Sequence, residues 1–229
     1  MTDRPTLDGE APAPPSVPGP PVLQRMAALE QLREAIHRRL GVALAPLGRT
    51  LGRAGVTPNQ VSVAGAGLAA VAAALIAGGR PAAGGALFLA ASALDLLDGL
   101  LARATGRASA FGAFLDSTLD RVSEGAVFAA IAYVFAIEGR AADAAAVVLA
   151  LLFSQLVSYA RARAEGLGLE CRVGVVTRPE RVVLLAAGLM AGLVAPAVWL
   201  LAAASAATVG QRVIHTGRQI ERGPASPPR

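Results

Sequence analysis

The chain of 229 residues contains no lysine, one cysteine, two histidines and few aromatic residues, which make up 4% of it. A lone thiol, Cys171, excludes an internal disulfide framework and a zinc site built from several thiolates. Charged residues are also scarce, at 16%, while 54% of the chain is hydrophobic and the mean hydropathy is +0.54. That balance is too apolar for an ordinary water-soluble domain, and a soluble enzyme is set aside on this ground. Because aromatics are rare, the apolar mass is chiefly Ala, Leu, Val and Gly, small residues that let helices approach closely inside a bilayer. The formal charge of +5 rests on 21 basic residues, all of them arginine. They cluster around apolar stretches, which marks them as topology signals and anion ligands, and no nucleic acid partner is expected.

The chain divides by composition. Residues 1–21 end in Ala11-Pro-Ala-Pro-Pro-Ser-Val-Pro-Gly-Pro-Pro21. Repeated proline removes amide donors, and the segment lacks the apolar core of a signal peptide, so a disordered cytosolic tail is predicted. From residue 22 to 55, Leu23, Met26, Leu29, Leu32, Ile36, Leu40 and Leu44 recur three or four apart, with Arg25, Arg33, Arg38 and Arg39 between them. This predicts an amphipathic helix on an anionic membrane surface, the alternative being a helix packed on soluble protein. His37 is read as a surface residue of that segment.

Beyond it, residues 56–219 are predicted to form an all-α transmembrane domain, followed by a C-terminal tail over 220–229. Six apolar segments approach the roughly 20 residues needed to cross a hydrocarbon core. They run from about 59 to 79, 82 to 104, 108 to 137, 141 to 164, 181 to 194 with its flanks, and 197 to 215. Short turns are expected at Gly78-Gly79-Arg80-Pro81, Gly139 and Pro196. Arg80 and Arg140 are then the only arginines on the short-turn side, and the basic excess on the other face places both termini in the cytosol, at the plasma membrane.

Four carboxylates stand out within these spans. Asp95 and Asp98 are three apart, Asp116 and Asp120 four apart, so each pair projects from one helical face. A hairpin between the second and third spans would bring the pairs together, where carboxylates in a bilayer call for a functional account. With no lysine among them, divalent cations would relieve their repulsion. Hard oxygen ligands suit two magnesium ions, or manganese. The alternative is a buried ion-pair network with Arg103 and Arg121. Gly99 and Gly112 sit where a side chain would obstruct a phosphate or a neighbouring helix. Glu124, one turn further on, is left outside the site.

The run Asp95-Leu-Leu-Asp98-Gly99-Leu-Leu-Ala102-Arg103, then Gly112-Ala-Phe-Leu-Asp116-Ser-Thr-Leu-Asp120 after eight residues, resembles the complete signature of the CDP-alcohol phosphotransferases. The likeness covers about Val56 to Gln219. It implies transfer of a substituted phosphate from a CDP-linked lipid to an alcohol with release of CMP. By the same resemblance Asp95, Asp98 and Asp116 are metal ligands, and Asp120 is both ligand and catalytic general base. Gly99, Arg103 and Ser109 would contact the CDP moiety, and the opening Asn59, Gln60, Val61 and Ser62 would line the nucleotide pocket. A plain helix start, with Thr57 as cap and Pro58 in the first turn, accounts equally for that opening. The resemblance also implies a homodimer.

The acceptor is argued from a second cluster. Arg178 and Arg181 stand at a helix start, where an anion is welcome and a cation is not. Arg212 follows a long uncharged run and is expected to face the protein interior. Ser158, Arg161 and Arg163, then Arg178 and Arg181, then Arg212 resemble the acceptor side of the actinobacterial phosphatidylinositol phosphate synthases. That likeness implies CDP-diacylglycerol as donor and an inositol phosphate, L-myo-inositol 1-phosphate, held by these six residues, with membrane lipids around them. Arg161 departs from the lysine expected there. Alternatives are ordinary positive-inside placement of the arginines, a synthase using glycerol 3-phosphate, and a non-enzymatic membrane cation-binding protein.

The arginine asymmetry predicts an orientation that labelling can read. In a background lacking Cys171, cysteines placed near Gly79 and Gly139 should react with an impermeant thiol reagent added to intact cells, while one near Ala104 should not. The reverse pattern would invert the topology.

Overall fold

A computed structural model of the chain describes Val42, Pro46, Thr50 and residues 52–221. Every regular element among the described residues is a helix. The proline-rich tail, nearly all of the amphipathic segment and residues 222–229 lie outside them. The six helices named below belong to one compact unit.

Local chemistry sets the helix ends. Helix α1 (Pro58–Ala77) opens with a capping box: the Thr57 amide donates to Gln60 Oε1 at 2.9 Å and the Gln60 amide to Thr57 Oγ1 at 3.3 Å. Pro58 occupies the first turn, where its missing amide is not needed. Helix α2 (Pro81–Thr105) again starts on proline and ends at Gly106, whose φ of 64° is left-handed. Helix α3 (Ala110–Ile137) is capped by Ser109, which accepts from the Gly112 amide at 3.0 Å. Helix α4 (Ala141–Glu165) follows a turn at Gly139. Helix α5 (Arg178–Met190) opens on a second capping box, Thr177 with Glu180, and α6 (Val194–Glu221) closes the bundle.

The first four helices fall within a few residues of the spans predicted for them. The fifth differs. At 13 residues α5 is about 20 Å long, short of the roughly 30 Å of a hydrocarbon core. The turn that ends it is at Gly192, with φ 71°, and not at Pro196. Pro196 is the third residue of α6, where a free first-turn amide would have had no partner, so proline is tolerated. Among the described residues, four helices are long and apolar enough to cross a membrane by length and composition: α1, α2 over Pro81–Arg103, α4 and α6. Helix α3 has the length, but it carries Asp116, Asp120, Arg121 and Glu124.

Helix α1 packs on α2 and α3, α4 on α6 and α3, and α2 on α5. The core they enclose joins Ala69, Ala72 and Ile76 of α1 to Phe88 of α2, Phe128 and Ile131 of α3, Val147 of α4, Leu185 of α5 and Leu201 of α6. Large apolar side chains are also turned outward on several helices, among them Val71, Tyr133, Val148, Leu152, Trp199 and Leu200. A surface of this kind suits hydrocarbon, and the chain is read as an all-helical integral membrane protein. Near the turn before α4, Arg140 pairs with Asp143 at 2.7 Å and stacks over Phe135, and Trp199 donates to Asp143 at 3.0 Å. Cys171 is buried in the loop between α4 and α5, with the Thr216 hydroxyl 3.8 Å from its sulfur.

Since lipid tails are as apolar as leucine, close contact between helices does much of the holding. Gly84 marks the tightest approach of α1 and α2: a Cβ there would lie 2.4 Å from Ile76 Cγ1 and 2.8 Å from the Ala72 carbonyl oxygen. Gly84→Ala should therefore lower stability by about 1–3 kcal/mol, because backbone must move to admit it. Gly67→Ala, which meets open space, should not. Thermal unfolding of the two variants in detergent checks this, and equal midpoints would refute the packing argument.

Candidate active site

The left-handed residue Gly106 ends α2 four residues before α3 begins, and acids from the two helices then face one another. One carboxylate oxygen each from Asp95, Asp98 and Asp116 lie within 4.8 Å of one another. Asp98 is buried and accepts a hydrogen bond of 2.5 Å from Ser62 Oγ on α1. Asp116 Oδ1 is buried with no hydrogen-bond partner. Gly65 makes room for the cluster, since a Cβ at that position would come within 3.2 Å of Asp95 Oδ1. Three oxygens this close, with an unpartnered oxygen on one of the same carboxylates, fit a hard divalent cation.

Asp120 adjoins those three without belonging to the group. Its Oδ1 takes Arg178 Nη2 at 2.7 Å, and the same nitrogen lies 2.8 Å from Asp95 Oδ2. The cation that pairs with the acids is thus Arg178 from the start of α5, rather than Arg103 or Arg121. Arg121 is turned back to the Ser117 carbonyl of its own helix.

Beside the acids lies a cavity of about 200 Å³ between the start of α1, the end of α2 and the start of α3. Asn59, Ser62, Gly99, Arg103 and Ser109 line it, with Asp98 and Asp116 among its walls. These are five of the seven residues predicted for the nucleotide pocket. Gln60 and Val61 are the exceptions. Gln60 is spent on the capping box, and Val61 packs with Leu97 and Leu101 in a small core of its own, because the helical turn carries those two positions away from the cavity. Arg107 also lines the cavity, a residue the signature passes over. Gly112 permits close approach, since a Cβ would sit 3.1 Å from Ser109 Oγ and 3.2 Å from Asn59 Oδ1.

The second arginine cluster is less convergent than its spacing predicts. Arg181 is buried and bound to Glu124 of α3 through two contacts, Nε to Oε1 at 2.9 Å and Nη2 to Oε2 at 3.0 Å. Arg212 is buried as expected, but it donates to main-chain carbonyls, Val173 at 2.9 Å and Val157. Together with Thr208, which accepts from the Val176 amide at 3.2 Å, it pins the loop that leads into α5. Arg161 and Arg163 are exposed at the end of α4, Arg161 pairing with Glu165 at 2.7 Å, and Ser158 is half-buried one turn earlier. Glu124 was passed over in the sequence although it continues the Asp116, Asp120 stripe by one more turn. Its signal was that spacing, and its partner lies 57 residues away.

The chain matches the CDP-alcohol phosphatidyltransferase family over residues 55–210. It is 40% identical over 177 residues to a phosphatidylinositol phosphate synthase of Mycobacteroides abscessus, an alignment covering 73% of this chain and 80% of that relative. Among solved structures it resembles the Mycobacterium tuberculosis phosphatidylinositol phosphate synthase with CDP-DAG bound, at a TM-score of 0.71 and 34% identity over 75% of this chain and 92% of that one. The same enzyme in complex with manganese and citrate gives a TM-score of 0.73 and 32% identity over 80% and 92%. Taken with the eight signature positions arrayed around the acid cluster and the adjoining cavity, these matches establish that the chain belongs to the CDP-alcohol phosphatidyltransferase family.

Proposed function

We propose that this chain is a phosphatidylinositol phosphate synthase, transferring the phosphatidyl group of CDP-diacylglycerol to the hydroxyl of inositol 1-phosphate with release of CMP. The observation that carries the reading is a juxtaposition. The acid cluster borders the cavity on one side, and on the other Asp120 touches Arg178, one helical turn from Arg181. A family transferase needs a nucleotide pocket, a metal site and an acceptor pocket in that order, and this acceptor side is basic. The likeness to the two named synthases supports an acceptor that carries its own phosphate.

In this reading Asn59, Ser62, Gly99, Arg103 and Ser109 hold the CDP moiety, while Gln60 and Val61 fix the start of α1 from behind. Asp95, Asp98, Asp116 and Asp120 hold two divalent cations, magnesium or manganese, the orphaned oxygen of Asp116 being one ready ligand. When bound, the cations supply neutralisation of the diphosphate and of the charge that develops as the bond to CMP breaks. Asp120 accepts the proton of the attacking hydroxyl. Arg178 and Arg181 bind the acceptor's phosphate, with Ser158, Arg161 and Arg163 at its open rim, and Arg212 keeps the loop before α5 in place. Six crossings, both termini in the cytosol, a plasma-membrane location and a homodimer complete the proposal, with α5 crossing only through its flanking turns.

The decisive experiment offers purified protein CDP-diacylglycerol with inositol 1-phosphate, free inositol or glycerol 3-phosphate, and follows CMP. Release should require inositol 1-phosphate and should stop in excess EDTA, returning with magnesium or manganese. Preference for glycerol 3-phosphate would overturn the acceptor, and full activity without metal would overturn the metal site.

The Glu124–Arg181 pair shapes a second prediction. Arg181→Gln leaves a buried carboxylate unpaired, a cost of about 3–5 kcal/mol, so loss of activity in that variant alone would be ambiguous. The double variant Glu124→Gln with Arg181→Gln should recover most of the lost stability. Its KM for inositol 1-phosphate should stay about ten- to a hundredfold high, as expected for loss of a charged hydrogen bond, with the KM for CDP-diacylglycerol little changed. An unaltered acceptor KM in a folded double variant would remove Arg181 from the acceptor pocket.

A further inference from the structure

Arg178 and Arg181 stand one turn apart on α5, but they are held in different ways. Arg181 is bound by Glu124, a carboxylate outside the acid cluster, and both are buried. Arg178 directs a single nitrogen, Nη2, at Asp95 and Asp120, at 2.8 and 2.7 Å. Asp95 belongs to the group of three whose oxygens lie within 4.8 Å of one another. Arg178 Nε is buried without a hydrogen-bond partner. A guanidinium has five donors in a rigid fork, so this one has capacity left over. Its two carboxylate partners are oxygens that a divalent cation would also draw on.

Resting on the acceptor reading above, we propose that Arg178 is a positioning residue shared between the acid cluster and the acceptor's phosphate, so that it couples divalent-cation binding to acceptor binding. The coupling follows from competition for oxygen lone pairs and from like charge. A cation taken up at Asp95 and Asp120 loosens the guanidinium and frees its donors for a phosphate on the α5 side. A phosphate that engages Arg178 in turn leaves both carboxylates open to the cation. Linkage requires the two effects to be equal in size, and couplings of this sort commonly amount to about five- to 150-fold. Arg181, anchored by its own carboxylate, adds affinity for the phosphate without taking part in the exchange.

The test is a binding measurement with no lipid donor present. The manganese affinity of the purified protein, read by electron paramagnetic resonance of the free ion, is determined with and without saturating inositol 1-phosphate. A protein-free control subtracts direct chelation. In the wild type the acceptor should raise manganese affinity about tenfold, and calorimetry should show manganese raising acceptor affinity by the same factor. In Arg178→Gln manganese should bind without the acceptor at least as tightly as in the wild type, and the coupling factor should fall to about one. In the double variant Glu124→Gln with Arg181→Gln the acceptor should bind more weakly with the coupling kept. Arg178→Lys, which retains a charge but not the fork, gives the same readout with reduced coupling should the glutamine variant not fold. Unchanged coupling in either Arg178 variant, or none in the wild type, overturns the proposal. Failure of the wild type to bind inositol 1-phosphate at any manganese concentration is distinguishable from both, since it overturns the acceptor reading and this inference with it.

Discussion

Repulsion among the carboxylates that α2 and α3 bring together is the constraint around which the site is arranged. Two like charges less than 5 Å apart repel by roughly 3 kcal/mol or more at the effective dielectric usual for proteins, and this cluster holds three such pairs. Helices α2 and α3 could not bring those side chains together without compensation. Ser62 from α1 supplies a donor to Asp98, and Arg178 from α5 supplies a cation to Asp95 and Asp120. Four helices, α1, α2, α3 and α5, thus meet at one spot whose charge calls for partners from all of them.

The bundle that carries this spot is held by closeness more than by bulk. Ala69, Ala72, Ala91, Ala146 and Ala150 lie in the core, and Gly84, Gly85 and Gly188 sit where a methyl group would collide with the neighbouring helix. Small residues let backbones approach when the surroundings are as apolar as the side chains. At Gly188 that approach is between α5 and α6: a Cβ there would lie 2.4 Å from Ala197. The short α5 is thereby wedged against α6 and α2, and its first turn, with Arg178 and Arg181, is presented to α3.

Arg178, Arg181 and Arg212 show how one residue type serves three purposes in a chain without lysine. Arg181 is neutralised by Glu124, Arg212 spends its donors on two carbonyls, and Arg178 bridges acids. The planar fork matters most at Arg181, since a lysine ammonium could not meet the Glu124 carboxylate through two parallel bonds. Arg161 and Arg163, exposed at the end of α4, lie outside this set.

Much of this was legible in the chain itself. Hydropathy marked the first four helices to within a few residues, because length and apolar content are local properties. Proline and glycine marked most ends, as did Thr57 and Gln60. The spacing of Asp95, Asp98, Asp116 and Asp120 identified the acid pairs, since a helix turns three- and four-residue intervals to one face. The resemblance to the CDP-alcohol phosphotransferase signature, and not spacing, pointed to the cavity-lining residues Gly99 and Arg103. What spacing could not determine was which distant side chain meets which. The choice between Gly192 and Pro196 as the turn depended on where α5 could lean on α6. Gln60 and Val61 turned away from the cavity because the helix phase was set by Val61 packing on Leu97 and Leu101. The partners of Arg178, Arg181 and Arg212 lie 39 to 83 residues away and include Glu124, whose position alone did not distinguish it from a surface acid. Pairing across such separations is decided by packing and by the cost of burying unpaired charge, and both exist only in the folded chain.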